Sequence, residues 1–331
     1  MDWDSSLERL RTLIEGSNTL QDKWEALRFL AQQNLYFLCK GVLGYDPPAH
    51  PIGMSRDFHG PLCMALDVVQ PPYARRLDLW PRGHLKTHIC TIGKSIQDYL
   101  RDRNVRILLA SASIDGATKN LRAIKYQFAA NPILRWLFPE CIPDMKGDKW
   151  AETEVCLPRD RNRPESTFKC IGVGGHITGW HFDIQRKDDL IDEKTDRSPE
   201  EMEKIIDWHL LTINLFDAAS LGVDHLIGTR WNMGDLYGYI IAHQKEYTVS
   251  TISQLHVDPE DQARMYLCWP ERDTIEAVLR LREVDPYKFA TQRQNNPRDE
   301  AIVEFSAHWL RYYAFANQNF DPMLESDEVA A

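Results

Sequence analysis

The sequence predicts an α/β domain on a mostly parallel sheet flanked by helices, and three observations carry that reading. From about residue 55 onward, short apolar runs alternate with longer stretches of helical periodicity, the pattern of strands that return in parallel through crossover helices. The chain has 331 residues, 43% of them hydrophobic and 10% aromatic, enough to bury a large core. No internal repeat or low-complexity tract breaks the alternation of strand and helix.

Leu7, Leu10, Leu13 and Ile14, then Trp24, Leu27, Leu30, Leu35 and Leu38, fall at helical spacing. Two amphipathic helices broken near Gly16 to Thr19 are predicted, as an N-terminal helical appendage over residues 1–54. GYDPPAHPIGM, residues 44–54, is a loop into the main domain. Strands are predicted at Arg76 to Trp80, Val105 to Ser111, Thr167 to Val173, Phe182 to Lys187, Asp224 to Gly228 and Thr248 to Gln254. Helices lie between them near residues 86–101, 115–130, 198–218 and 234–243, so the core spans residues 55–256. DTIEAVLRLREVDPYKFATQRQNNP predicts a helix, a break at Pro286 and a second short helix, in a C-terminal lid or closing subdomain over residues 257–315. The polar ending ESDEVAA closes a frayed tail over residues 316–331.

The formal net charge of −10 counts against nucleic acid held over the whole surface, because phosphate neutralisation needs clustered Lys and Arg. Any such contact is local. Candidate clusters are Arg101, Arg103 and Arg106, and Arg159, Arg161 and Arg163, each with solvated loop charge as the plain alternative. Seven scattered cysteines, none in C-x-x-C spacing, argue against a disulfide framework and a zinc site and for a reducing compartment. No run approaches the roughly 18 apolar residues of a membrane span, and the start has neither a basic nor an apolar leader region. A cytoplasmic protein that engages no membrane is expected.

Three segments carry chemistry. In LDLWPRGHLKTH, residues 77–88, a strand enters a loop that ends in Lys-Thr before a long helix. Backbone N–H groups at a helix N-terminus cradle phosphate, a lysine neutralises it and a hydroxyl holds Mg²⁺. Lys86 and Thr87 suit the last two roles, and Pro81, Arg82, Gly83, His84 and Leu85 form the loop, with Leu85 where a second glycine belongs. HFDIQRKDDLIDE, residues 181–193, places Asp188 and Asp189 at a strand end, where one carboxylate serves Mg²⁺ and the next orients water. Gln185, Arg186 and Lys187 are out of place in a central parallel strand, which leaves an exposed acidic turn after an edge strand as the other reading. DHLIGTRW, residues 224–231, ends a strand on Thr229, a relay candidate, and Arg230, a candidate for phosphate or DNA. His176 and His181 flank the second segment without a ligand constellation, and Arg56, Asp57 and His59 are candidates for an adenine contact or the domain edge.

Together these segments resemble the large terminase subunits of tailed bacteriophages over residues 55–313. PRGHLKT matches that family's variant phosphate loop, GGHITGWHFDIQRKDDLIDE its second motif, IGTRWNMGDLYGYI its coupling motif, and YKFATQRQNNP with EFSAHWLRYY its closing segment. The resemblance implies a P-loop NTPase, RecA/ASCE-like, that hydrolyses ATP with Mg²⁺. It implies catalytic roles for Arg82 (a finger in cis), Lys86, Asp188 and Asp189, with Mg²⁺ on Thr87 and Asp188. It further implies a homo-oligomeric ring at the procapsid portal in the host bacterial cytoplasm, working with double-stranded DNA, the portal protein and the small terminase subunit.

The sequence departs from the family in three places. The second motif is charged and ends Asp-Asp, no trans arginine is assigned in HITGWH, and no length remains for the usual nuclease. Either the nuclease is a separate domain or subunit, or the chain is a fragment of a longer one. The competing readings are a DNA-dependent P-loop ATPase outside packaging and a degenerate prophage remnant acting only as a binding scaffold.

Overall fold

The computed structural model describes residues 19–46, 53–144, 149–176, 179–218, 220–261 and 264–297, with the backbone of two short strands, Tyr313–Ala316 and Asn319–Pro322. The first predicted helix, the middle of the Pro-rich loop and EFSAHWLRYY up to its last residue lie outside the described residues, as does the end of the tail.

Helix α1 (Leu20–Gln33) starts at Thr19, whose hydroxyl accepts the Asp22 N–H, a normal N-cap. A short turn at Leu35–Phe37 and a wider π turn at Leu38–Val42 follow. Leu35, Leu38 and Cys39 are buried in the same cluster as Ile89, Cys90 and Ile96, so residues expected as an appendage form part of the main core. Helix α2 (Arg56–Asp67) precedes strand β1 (Tyr73–Leu79). A π turn at Thr87–Gly93 runs into α3 (Lys94–Arg101), then β2 (Ile107–Ser111) and α4 (Ile114–Ala130). Strands β3 (Glu154–Val155), β4 (Phe168–Gly172) and β5 (Ile184–Asp188) lead to α5 (Pro199–Thr212) and β6 (Gly222–Gly228). Helix α6 (Leu236–His243) and β7 (Thr248–Thr251) complete the sheet. A hairpin of β8 (Leu255–Val257) and β9 (Met265–Leu267) precedes α7 (Ile275–Val284) and α8 (Pro286–Gln292), which meet at the predicted Pro286 break.

The seven-stranded sheet runs β3-β4-β2-β5-β6-β1-β7, parallel except where β3 pairs with β4. Along β2, Ile107 and Leu109 enter one buried cluster while Leu108 and Ala110 enter the other, so both faces are covered, as a parallel sheet requires. Leu255, Leu267, Val278 and Phe289 form a third, smaller core for the hairpin and α7–α8. The register pairs Leu79 with Gly228 and Asp188 with Ile227. The loops that follow β1, β5 and β6 therefore emerge side by side.

Strand β5 decides between the two readings of its segment. It is central, not an edge, and all five of its residues are buried. The side chains of Gln185, Arg186 and Lys187 each have partners that offset much of the cost of burial, although Gln185 Oε1 and Arg186 Nε are left without one. The Gln185 amide donates to the Thr212 carbonyl at 2.7 Å. Arg186 pairs with Asp98 and donates to His225 Nδ1 at 2.7 Å. Lys187 pairs with Asp224 at 2.8 Å and donates to His209 Nδ1 at 3.2 Å. A guanidinium or ammonium can only donate, so both imidazoles accept at Nδ1 and carry their proton on Nε2. His225 Nε2–H then donates to Asp78 at 2.8 Å and His209 Nε2–H to Gln244 Oε1 at 3.0 Å. Arg76 closes the first chain with two 2.9 Å bonds to Asp78, which together with His225 hold that buried carboxyl down to about 2 against desolvation.

Both histidines must stay neutral. Burial pushes each down to about 4, with Arg186 adding to the effect on His225 and Lys187 to that on His209. Because the unfolded chain takes up these protons near pH 6.5 and the folded chain resists, stability is complete above pH 6.5 and is lost as pH falls toward 4. At pH 5.5 each histidine is expected to remove about 1.4 kcal/mol. Denaturant unfolding at pH 7.5, 6.5 and 5.5 checks this; equal stability at all three would show that these imidazoles titrate normally.

Five of the six arginines considered for DNA are held by the protein itself, and Arg161 is exposed with only its backbone N–H bonded, to Asn104 Oδ1 at 2.8 Å. Arg101 donates to Asp67 and the Gln32 carbonyl, and Arg106 pairs with Asp183, Asp217 and Glu165. Arg103 pairs with Asp160, Arg159 donates to the carbonyls of Glu165 and Arg163, and Arg163 reaches Asp183 at 3.8 Å. All seven cysteines are free. Among the described residues no helix is long and apolar enough to cross a membrane.

Candidate active site

The site is built where β1, β5 and β6 end. After Leu79, Trp80 N–H still pairs with the Gly228 carbonyl at 3.2 Å, so β1 reaches the loop fixed to its neighbour. Pro81 is buried, Arg82 and Gly83 are exposed, and His84, Leu85 and Lys86 turn inward. Gly83 and Leu85 both adopt positive φ, 83° and 61°. Leu85 thus adopts a left-handed backbone that favours glycine, at a cost of about 1–2 kcal/mol. Its side chain is buried in the main core, and burying a leucine returns about 1.5–3 kcal/mol. The strained conformation is retained because the core holds it.

The helix after the loop opens at Thr87 with its first seven residues in π geometry, a feature frequent at functional sites. Ile89 N–H bonds the Leu85 carbonyl at 2.9 Å, which ties the helix start to the loop, and a helix start of this kind is where backbone N–H groups favour an anion. Lys86 is buried, and its Nζ lies 3.1 Å from Asp189 Oδ1. Asp189 also stands at positive φ, 47°, and its N–H is fixed to the Ile227 carbonyl at 2.9 Å. That turn lifts its carboxylate out of the sheet plane to half-exposure, beside the lysine.

Asp188 remains buried. Its Oδ2 accepts from Asn120 Nδ2 at 3.2 Å, and its Oδ1 is buried without a hydrogen-bond partner. Burial and the neighbouring Asp189 charge raise its carboxyl to about 7, opposed by Lys86 and by the Thr87 and Thr91 hydroxyls. A buried carboxylate oxygen without a partner, beside a threonine hydroxyl at a helix start, fits a hard divalent cation. Mg²⁺ takes one or two protein oxygens and completes its shell with phosphate and water. Among the described residues no three His, Cys, Asp or Glu side chains converge into an all-protein cage.

Thr229 follows β6 and is buried. Arg230 is committed elsewhere: its Nε bonds both Asp235 oxygens at 3.0 Å and its Nη2 donates to the Asn232 carbonyl at 3.0 Å. This clamp starts α6, where Asp235 also caps the Gly238 N–H. Gly228 permits the packing, since a Cβ there would stand 2.3 Å from Tyr237 Oη.

Three site residues are given no role by the sequence reading, although one of them, Asn295, lies in the segment read as closing the domain. Asn120 comes from mid-α4. Asn295, at φ 50°, donates to the carbonyls of Leu79 (3.0 Å) and Ile252 (2.9 Å) and accepts from Arg230 N–H (3.0 Å). One side chain therefore joins the ends of β1, β6 and β7. Arg82 N–H adds a 3.0 Å bond to the Gln292 carbonyl, so α8 touches the loop directly. The third is Arg272, whose guanidinium fills the space beside Gly83. Burial pushes His84 down to about 4, with the charges of Arg272, Arg293 and Lys86 adding to the effect. His59 is a buried core histidine stacked edge-on against Trp269 at 4.5 Å. His176 is exposed and His181 lies 3.4 Å from Asp217.

The chain is similar to a phage large terminase. The comparison is with the solved structure of the large terminase from a thermophilic bacteriophage, in two crystal forms. One is 11% identical and covers 78% of this chain and 52% of that chain at a TM-score of 0.39; the other is 11% identical and covers 77% and 51% at 0.36. The chain thus spans about half the length of that terminase. No protein-family model and no curated protein matches it.

Proposed function

We propose that this chain is an ATP-hydrolysing motor that moves double-stranded DNA into a phage procapsid. The observation that carries the reading is the 3.1 Å pair of Lys86 and Asp189 beside buried Asp188. It sits where a left-handed loop enters a helix, one strand removed from the acids.

In this reading the triphosphate lies over residues 81–87 and takes the Lys86 ammonium from Asp189. Asp189 is then free to accept a hydrogen bond from the attacking water, while Lys86 and Arg82 stabilise the charge that develops on the phosphoryl oxygens. Thr87 and Asp188 would hold Mg²⁺, which supplies charge neutralisation when bound. Thr229 and the segment from Tyr287 to Pro297 would pass loss of the terminal phosphate outward. The direct bonds from Gln292 and Asn295 to the loop and strand ends support that route. The partners in this reading are the portal protein and the small terminase subunit, with copies of the chain forming a ring in the host cytoplasm.

The charged β5, the main argument for a degenerate scaffold, is internally compensated and no longer favours that reading. ATP turnover by the purified chain, with and without Mg²⁺ and with and without double-stranded DNA, tests the proposal. Turnover that needs Mg²⁺ and rises with DNA is expected. A folded chain that neither binds nor hydrolyses ATP would overturn it in favour of a scaffold.

A further inference from the structure

We infer that Arg272, carried by the turn between β9 and α7, is a phosphate-binding residue of this site; the inference rests on the nucleotide reading above. Its guanidinium occupies the place a side chain would take at Gly83: a Cβ there would stand 2.6 Å from Nη2 and 3.2 Å from Nη1. The group is therefore packed onto the exposed residue of the phosphate loop itself.

Its placement is firm. Nε donates to Asp273 at 3.1 Å, the backbone N–H to the Trp269 carbonyl at 3.3 Å, and the guanidinium carbon lies 5.5 Å from the centroid of the Trp269 ring. Trp269 is buried against Phe58, His59 and His84. The Nη groups, by contrast, find no hydrogen-bond acceptor among the described residues, although a guanidinium carries five donors. A fork anchored at one end and unused at the other is pre-organised for a bidentate anion.

The surroundings have the same sign. Exposed Arg82 makes no side-chain hydrogen bond among the described residues, and Arg293 is tied only to Gln254 at 3.1 Å. Among the described residues, Asp273 is the one carboxylate that pairs with any of these three guanidiniums. Burial together with the charges of Arg272 and Arg82 lowers the Arg293 pKa, a mark of cations crowded without enough counter-charge. Phosphate oxygens on the loop would relieve that repulsion. Because Arg272 lies in the region read as the closing subdomain, residues 257–315, an anion bound there would join that region to the loop.

The alternative role, packing on Trp269, predicts a stability effect and no effect on anions. The test uses the full chain and Mg²⁺-ATP titrated by calorimetry against the unsubstituted protein, Arg272→Ala, Arg272→Lys and Lys86→Ala, with thermal unfolding of each. Arg272→Ala is expected to weaken ATP binding about 10- to 100-fold. The deficit should shrink as salt is raised, and Arg272→Lys should recover part of it. If Arg272→Ala does not fold, Arg272→Lys decides: the proposal needs weaker binding there too, since an ammonium cannot reproduce the fork. ATP binding unchanged in a folded Arg272 variant while Lys86→Ala abolishes it would overturn this inference and leave the nucleotide reading standing. Failure of the unsubstituted chain to bind ATP would overturn both.

Discussion

Replacing Lys86 by Ala is expected to lower Mg²⁺-dependent ATP turnover about 10²- to 10³-fold, the loss typical when one preorganised donor to a developing oxyanion is removed. The ammonium is buried at the helix start and held 3.1 Å from Asp189, so it stands at the loop and has only to exchange that carboxylate for a phosphoryl oxygen. Its removal would also leave Asp188 and Asp189 adjacent without a counter-charge, and the positive charge that opposes the rise of Asp188 would be gone. Arg in its place is not expected to rescue, because a planar fork is not a substitute for a compact point charge in a buried slot. Steady-state turnover of the variant, beside its melting curve, is the measurement. Full activity in a folded Lys86→Ala chain would remove this residue from the phosphate.

Asp98→Ala is expected to destabilise the fold by about 3–5 kcal/mol, because taking one partner from a buried charge network strands the others. Asp98 pairs with both Lys94 and Arg186, and both cations are fully buried. Burial, with Arg186 and Arg101 adding, already pushes Lys94 down to about 8 against the pull of Asp98. Without that carboxylate Lys94 can shed its proton, which places the cost toward the lower end of the range at high pH. Arg186 has no such escape. Equilibrium urea unfolding of the two proteins at pH 7 and 9 would measure this, and a loss below about 1 kcal/mol, the value of a surface pair, would show the network to be dispensable.

Much of the sheet was legible because its signal is local. The apolar runs behind β1, β2, β4, β6 and β7 and the periodicity of α4 and α8 follow from side chains a few residues apart. What could not be read depends on partners far away in sequence. Strand β5 looked like an edge because its cations are 88 and 37 residues from the aspartates that pair with them. Helix α2 was hidden by Gly60 and Pro61 inside it, and the β8 and β9 strands, three residues each, are too short to show alternation. At the site, Lys86, Asp188 and Asp189 were visible because each sits at a junction of strand or loop that the pattern marks. Asn120 and Arg272 come from elements whose sequence bears no mark of the loop they approach, and Asn295 lies in a segment marked as closing the domain but without a sign of which side chain does so.

Leu85 carries a lesson about how such loops are recognised. A pattern that demands a second glycine selects the cheapest residue for a left-handed backbone and discards chains that meet the same dihedral requirement in another way. Here an aliphatic side chain anchored in the core supplies what glycine supplies by having none. What such a loop requires is a backbone trajectory, and the residue that meets it can vary wherever packing is strong enough to hold the turn. Searches for distant relatives of this loop would gain from scoring buried aliphatic residues at that position beside glycine.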